Sequence, residues 1–203
     1  MTVHPPLPVA MVCAGLLTFV PTAAAAMEPN DPRASTEGLD SDAARARIGF
    51  DTSLGTVFDP RSTGIGFALR LRTGVQLGRL VAISIQSTTF VLTNAQSLFP
   101  EGLGALLEHG AMLHLTPVDA LDLGIGAALD FGQTRSRTAD GKDAPAVDRL
   151  MFALTARIAL HVGRTNPATG RRVAFTFGAC PHLVFAPTGA VLVVTLGPGA
   201  EWY

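Results

Sequence analysis

The sequence contains almost no cysteine and little charge of either sign. Its two cysteines are Cys13, in an apolar N-terminal segment, and Cys180. A mature chain without that segment therefore has no internal disulfide, and a metal site would need other ligands. The 15 Lys and Arg residues nearly balance the 16 Asp and Glu residues, for a formal net charge of −1. This balance gives no indication of nucleic acid or of a strongly acidic partner.

A long hydrophobic run is also missing from the body of the chain. Hydrophobic residues make up 48% of the sequence, and the mean hydropathy is +0.35. No stretch after residue 27, however, holds the roughly 18 consecutive apolar residues of a membrane helix. Hydrophobicity that is distributed as alternation is what a membrane β-barrel requires.

The N-terminal residues predict an export signal followed by a polar spacer. In residues 1–26, an apolar core from about Leu7 to Val20 precedes the small residues of an A-x-A cleavage site at 24–26. Residues 27–44, MEPNDPRASTEGLDSDAA, are polar and rich in turn formers, which predicts a flexible N-terminal segment. We assign residues 45–203 to the folded domain.

The stretch LDLGIGAALDF, residues 121–131, shows the alternation most clearly. Wound as a helix, its large apolar residues would scatter around every face, and Gly124 and Gly126 would weaken it. Extended as a strand, it has one continuous apolar face. The opposite face holds only small or acidic residues, namely Asp122, Gly124, Gly126, Ala128 and Asp130.

Alternation of this kind predicts eight strands, separated by turn-forming residues. They cover residues 45–58, 63–72, 80–93, 105–115, 121–131, 148–163, 171–185 and 190–203. Most have about ten or more residues, enough to cross the apolar core of a bilayer at a tilt of about 45°. The connections after strands two, four and six are short, whereas the longest polar connection, TRSRTADGKDAPAV, follows strand five. The two sets of connections are therefore expected on opposite sides of the membrane.

Over residues 45–203 the chain resembles the small eight-stranded outer-membrane barrels represented by the OmpA membrane domain and OmpX. The resemblance rests on the alternation, the loop asymmetry and the C-terminal aromatic residues Trp202 and Tyr203. It implies an all-β fold, an eight-stranded antiparallel up-and-down transmembrane β-barrel in the bacterial outer membrane. It also implies contact with outer-membrane lipid and recognition of the C-terminal strand by the barrel-assembly machinery. We expect a monomer that has no nucleic-acid partner.

The interior of an eight-stranded barrel is just wide enough to be filled by side chains, so inward charges need partners. Pairing strands five and six across the long connection puts Asp122 near Arg157 and His161. Pairing strands one and two puts Asp51 opposite Arg70. In each case alternation places both members on the inner face.

Closing the barrel adds a further predicted group. With strand eight beside strand one, Glu201 lies near Arg47, and Arg172 lies on the other side of Glu201. Together with the pairs above, these residues predict a structural ion-pair network that plugs the lumen. A gated pore or a proton path along the same charges is the alternative interpretation.

The sequence contains no phosphate loop, nucleophile elbow or metal-binding motif. The closest approach to a catalytic cluster is Glu108, His109 and His114, but alternation puts His109 on the opposite face from the other two. We therefore expect no enzymatic activity, no metal and no cofactor. The expected role is structural or surface-interactive, with specificity supplied by the outer loops TRSRTADGKDAPAV and SLFPEGLG.

Two other functions stay open on the sequence alone. The first is a soluble exported barrel of the lipocalin kind that binds a small apolar ligand, with its apolar faces turned inward. The second is a lipid-modifying outer-membrane enzyme that uses a Ser and a His at the lipid face. His109 has a suitable position for that chemistry, but the sequence does not convincingly place a serine beside it.

Overall fold

The fold is taken from a computed structural model that describes residues 44–78, 80–99, 104–134, 147–165 and 171–203. The predicted signal peptide and nearly all of the 27–44 segment lie outside the described residues, as do residues 135–146 of the longest connection. The described residues form eight strands: β1 (Arg45–Asp59), β2 (Ser62–Leu77), β3 (Val81–Leu92), β4 (Gly104–Val118), β5 (Leu121–Thr134), β6 (Val147–Thr165), β7 (Arg172–Ala186) and β8 (Gly189–Trp202).

Each strand pairs antiparallel with the next one in the chain, and β8 pairs with β1 to close the barrel. The predicted fold class is therefore confirmed. The start of β1 and the end of β8 lie at one end of the barrel, called here the inner end, together with the strand ends that the β2–β3, β4–β5 and β6–β7 connections join. The other end, with the remaining connections, is called the outer end.

Two strands extend by three residues or more beyond their predicted bounds at the inner end. β2 continues to Leu77, five residues beyond its predicted end at residue 72. Gly74 is needed in the sheet because a Cβ there would lie 2.1 Å from the carbonyl oxygen of Ile83. β4 continues through a register shift to Val118, so the predicted connection at residues 116–120 narrows to residues 119 and 120.

The outward face of the barrel is apolar and the inward face carries the charges. Ile65, Ile125 and Phe175 are 67%, 67% and 76% exposed, and they belong to a belt of such side chains on every strand. The buried inward residues include arginines, carboxylates and histidines. A surface of this kind is stable in lipid and unstable in water. Within the described residues there is no helix of the length and apolarity needed to cross a membrane.

An apolar cluster, called here the outer plug, closes the lumen near the outer end. Residues 93–99, the described part of the β3–β4 connection, turn back into the barrel, and Ala95, Leu98 and Phe99 are at most 1% exposed. They pack on inward apolar side chains of the strands, namely Val57, Ala68, Phe90, Leu92, Leu106, Ala128, Met151, Ala153, Val184, Val191 and Val193. The plug therefore draws on all eight strands.

Hydrogen bonds hold this connection in place. The carboxylate of Asp59 accepts bonds from the backbone N–H of Ser97 at 2.6 Å and from its hydroxyl at 2.8 Å. The hydroxyl of Thr188 donates to the carbonyl oxygen of Ser97 at 3.1 Å. Three outer connections are thus tied together through one serine.

Substitution of Gly104 by alanine tests the packing of the plug. An added Cβ would lie 2.1 Å from Phe99 Cδ2, and the buried ring has little room to move. We expect Gly104→Ala to lower the free energy of unfolding by about 1–3 kcal/mol, measured by urea titration in lipid vesicles. Gly178→Ala is the milder control, because its Cβ would come no closer than 3.1 Å to any atom. Equal effects of the two substitutions would contradict the packing described here.

Candidate functional site

The first part of the interior site joins β1 to β2. Asp51 lies opposite Arg70 in the β1–β2 register, and Arg70 Nη1 donates to Asp51 Oδ1 at 2.6 Å. Arg72, the next inward residue along β2, donates to the other oxygen of the same carboxylate. The side chain of Asp51 is only 8% exposed and the arginines are 1–2% exposed. One carboxylate is thus held between two guanidinium groups.

Asp122 is the centre of a second group of contacts. Its Oδ2 atom lies 3.1 Å from Arg47 Nη2 and 3.1 Å from His114 Nδ1, and Arg157 Nη1 donates to the same oxygen. The contact with Arg157 is diagonal, because Asp122 is directly opposite Ala159 in the β5–β6 register. His114 contacts Ser84 Oγ through its second nitrogen at 2.8 Å.

Glu201 links β8 to β1 and β2. Arg47 Nη2 donates to Glu201 Oε2 at 2.9 Å, and Arg72 Nη2 donates to Oε1 at 3.3 Å. His161, which the sequence placed near Asp122, has Nε2 3.1 Å from Glu201 Oε2. Arg47 therefore bridges the groups around Asp122 and Glu201. Arg47, Asp51, Arg70, Arg72, Asp122, Arg157, His161 and Glu201 are called below the inner charge cluster.

The predicted position of Arg172 needs correction. Arg172 donates to the hydroxyl of Tyr203 at 3.1 Å and to the carbonyl oxygen of Asp119, and no contact with Glu201 is found among the described residues. The physical reason is register: Ala174, two residues further along β7, is the residue opposite Glu201. Arg172 therefore lies at the inner rim of the barrel.

Tyr203 turns toward this rim and stacks between two arginines. The guanidinium carbons of Arg47 and Arg172 lie 5.3 Å and 5.8 Å from the centre of its ring. Partial burial raises the pKa of the Tyr203 phenol above its ordinary value, against the opposing influence of Arg172. Trp202, in contrast, faces outward and is 44% exposed. The C-terminal aromatic pair thus has one residue in the lipid belt and one at the lumen.

Asp122, His161 and Glu201 are close enough together to suggest a metal site. One ligand atom from each lies within 4.8 Å of the others. However, the two carboxylates already contact Arg47, Arg72 and Arg157, and these positive charges would repel a cation. The arrangement therefore favours ion pairing over metal binding.

A further polar group lies toward the outer end and was missed in the sequence analysis. His182 Nε2 is 2.7 Å from Asp130 Oδ2, and His182 Nδ1 is 3.9 Å from Glu108 Oε1. Gln86 donates to Glu108 at 2.8 Å, and Phe90 stacks on the His182 ring with the ring centres 5.0 Å apart. Glu108 and Asp130 are directly opposite in the β4–β5 register. The same hairpin pairing that placed Asp51 opposite Arg70 could have located them.

The buried charges of the described residues balance in number but not in position. Five arginines and five carboxylates are buried, namely Arg47, Arg70, Arg72, Arg157, Arg172, Asp51, Glu108, Asp122, Asp130 and Glu201. The arginine contacts lie in the inner charge cluster and, for Arg172, at the inner rim. Glu108 and Asp130, nearer the outer plug, contact only His182 among the basic side chains of the described residues. Between Val173 and Ala200, β7 and β8 contain no Asp, Glu, Lys or Arg.

Solved structures with the same architecture exist. Neisserial surface protein A aligns with a TM-score of 0.55 at 15% identity, covering 78% of this chain and 97% of that one. The attachment invasion locus protein Ail of Yersinia pestis aligns with a TM-score of 0.52 at 13% identity, covering 79% and 99%. A second Ail structure, in complex with the heparin analogue sucrose octasulfate, gives 0.51 at 12% identity, covering 77% and 97%.

The chain has the fold of the small eight-stranded outer-membrane barrels. The resemblance inferred from the sequence is confirmed at this level. No protein-family profile matches the chain, and no curated protein sequence matches it either. The shared feature is therefore the architecture, and the residues of the interior site have to be interpreted on their own contacts.

On the lipid-facing side of the barrel, the structure supplies the serine that the sequence did not place beside His109. Ser87 is directly opposite His109 in the β3–β4 register, and its Oγ lies 3.0 Å from His109 Nδ1. The His109 ring also meets Phe131 edge-on, with the ring centres 6.3 Å apart. No carboxylate or amide side chain orients the imidazole among the described residues.

This pair also lacks the surroundings that acyl transfer requires. The flanking peptide groups belong to the regular β3–β4 ladder, so no pair of free backbone N–H groups is available beside Ser87 to stabilise an oxyanion. The geometry is that of a polar contact in the lipid belt rather than of an activated nucleophile.

Proposed function

We propose that the protein is an integral outer-membrane barrel with a structural or surface-interaction role, whose lumen is plugged by ion pairs. The apolar outer face and the shared fold support the membrane location. The proposed partners are membrane lipid around the belt and the barrel-assembly machinery at the C-terminal strand. The lipid-facing Trp202 gives that strand an exposed aromatic end, which supports the second partner.

The observation that carries the proposal is a lumen filled at two levels. Near the outer end, Leu98 and Phe99 are buried at 0% and 1% exposure within the outer plug. Below it, Arg70, Asp122 and Glu201 are at most 1% exposed and make the ion-pair contacts described above. A continuous aqueous path would have to displace both layers, so a closed barrel is favoured over a pore or a proton path.

The structure offers less support for the other two functions, a soluble ligand-binding barrel and a lipid-modifying enzyme. A soluble barrel that binds an apolar ligand would place its apolar faces inward, whereas the large hydrophobic side chains of this barrel line its exterior. A lipid-modifying enzyme would need an orienting group and an oxyanion site around Ser87 and His109, and the described residues offer neither. The non-enzymatic proposal thus has the better support.

Conductance across a planar bilayer tests the closed lumen. We expect the inserted protein to add no steady ion conductance to that of the lipid alone. Insertion is verified in parallel by the shift in gel mobility between unheated and boiled samples, which folded barrels show. A stable open conductance from heat-modifiable protein would contradict the closed lumen. Loss of the mobility shift itself would contradict the barrel.

Of the two outer loops predicted to provide specificity, one begins with buried residues. In SLFPEGLG, Ser97, Leu98 and Phe99 are buried in or beside the outer plug, so these side chains cannot bind an external partner without opening the plug. The other loop extends over residues 135–146, outside the described residues. We propose that this loop provides any surface specificity.

Replacing residues 136–145 with a short Gly–Ser turn distinguishes a structural role from a surface-interaction role. If the role is surface interaction, cells carrying the shortened barrel should lose protein-dependent binding to external surfaces while the gel mobility shift is retained. If the role is structural, the shortened barrel should still restore envelope integrity to cells that lack the protein. Failure of the wild-type chain in both assays would contradict the proposed function while leaving the barrel fold intact.

A further inference from the structure

The lipid belt contains one ionisable side chain away from the strand ends. Among the described outward positions of all eight strands, every residue is apolar, Ser or Thr except His109 and Arg164. Arg164 lies one residue from the end of β6. An ionisable residue inside the hydrocarbon region is costly and is usually functional. His109 therefore needs a partner.

The depth of His109 excludes a lipid headgroup as that partner. Ser87 and His109 each lie five residues from the outer ends of their strands, Leu92 and Gly104, which corresponds to about 12 Å of depth in a tilted barrel. Exposed apolar side chains of the same two strands, including Ile85 and Leu113, lie further inside. At this level lipid offers only hydrocarbon.

The hydrogen-bonding capacity of the pair is only half used. Nδ1 of His109 is bonded to Ser87, and no described group of this chain reaches Nε2. An unsatisfied polar nitrogen in hydrocarbon is unfavourable. His109 Nε2 therefore needs a hydrogen-bond donor or acceptor at the same depth, from a molecule outside the barrel.

A second copy of the chain meets this requirement by symmetry. Two copies inserted in the same direction are related by a twofold axis along the membrane normal, so each residue faces residues at its own depth. Ser87 and His109 are cross-strand neighbours at equal depth, and each can donate or accept. Beside them, Ala111 lies opposite Ala127 in the β4–β5 register, and such small side chains let two walls approach closely.

We infer that the β3–β4–β5 wall is a homodimer interface within the membrane, in which His109 Nε2 of each copy bonds the Ser87 hydroxyl of the other. This inference replaces the monomer expected from the sequence. It rests on the membrane insertion in the proposed function but does not depend on a structural or surface role.

Disulfide cross-linking of the full chain in native outer membranes tests the interface. In a Cys180→Ala background, Ala111→Cys places a thiol on the proposed contact wall, and Leu196→Cys places one on β8, on the opposite side of the barrel. We expect oxidised dimer at position 111 to exceed that at 196 by about tenfold or more. Equal yields, no dimer, or cross-links only to other proteins would overturn the inference.

Substitution of the histidine tests its role in the contact. His109→Leu in the Ala111→Cys chain should reduce the dimer yield about tenfold, because two polar contacts are lost per dimer, and His109→Asn should retain part of it. Gel mobility of unheated samples shows whether each variant forms the barrel, so a failure of insertion is distinguished from a failure to dimerise. An unchanged yield in a folded His109→Leu barrel would overturn the inference.

Discussion

Replacing Asp122 with lysine is expected to destabilise the barrel by at least about 3–5 kcal/mol. The carboxylate of Asp122 contacts Arg47, His114 and Arg157 and has no exposed surface. A lysine would remove the carboxylate that Arg157 contacts and one of the two carboxylates that Arg47 contacts, and it would add a third positive charge beside them. The removal of one partner from a buried ion pair already has a large cost, and a reversed charge adds repulsion.

Urea unfolding in lipid vesicles measures this effect. Trp202 is the one tryptophan of the chain, and its position at the end of β8 makes its fluorescence a reporter of barrel closure. Asp119→Lys is the matched control: it makes the same charge change at an exposed side chain, two residues before the first residue of the same strand. We expect the control to change the unfolding free energy by no more than about 0.5 kcal/mol. Similar effects at both positions would show that Asp122 is not paired as described.

Ile125→Arg should lower the free energy of unfolding in lipid vesicles by about 2–4 kcal/mol, because a charge on the lipid face near the bilayer midplane must leave water. Ile125 is 67% exposed and is the fifth of the fourteen residues of β5. In a water-soluble barrel the same exposed position would tolerate arginine. The substitution therefore tests which solvent surrounds the barrel.

The control for this prediction is Ile125→Ala, which removes apolar surface without adding a charge. We expect Ile125→Arg to be less stable than Ile125→Ala in the same urea titration. An arginine variant as stable as the wild-type protein would contradict lipid contact at this position.

Most of the fold could be predicted because alternation is a local signal. A strand such as β5 shows in its own residues which face meets lipid, and neither a partner nor a ligand is needed to interpret it. The predicted strand bounds were less accurate where a glycine or proline inside a strand was interpreted as part of a turn. Gly74 lies inside β2, and Pro117 lies in the extended part of β4.

The interior contacts were only partly predictable. Hairpin register identifies residues that are directly opposite each other, but it does not identify contacts that long side chains make across several strands. Asp51 and Arg70 are opposite each other, so simple counting found them. Arg72 spans from Asp51 to Glu201, and His182 reaches Glu108 without being on an adjacent strand. Long side chains in a narrow lumen cross several strands, and their contacts depend on barrel closure.

The inward burial of the β3–β4 connection could not be inferred from composition. SLFPEGLG has the proline and glycine of an exposed loop, yet Leu98 and Phe99 fill the outer plug. What decides their position is the space left by the small inward residues Ala68, Ala128 and Ala153 and the anchoring of Ser97 by Asp59. Both are tertiary features.

The β7–β8 hairpin differs from the other hairpins of the barrel because it contains no Asp, Glu, Lys or Arg from Val173 to Ala200. A hairpin entering a bilayer alone has no counter-ions from other strands, and each unpaired charge would resist its transfer. This hairpin can thus cross the hydrocarbon region before the rest of the barrel is assembled. The charged side chains of β1, β2, β5 and β6 have their partners on other strands. These strands therefore cross the bilayer at a lower free-energy cost when they cross together. From the distribution of charge we therefore expect an order of insertion, with the C-terminal hairpin first and closure by Arg47 and Glu201 last.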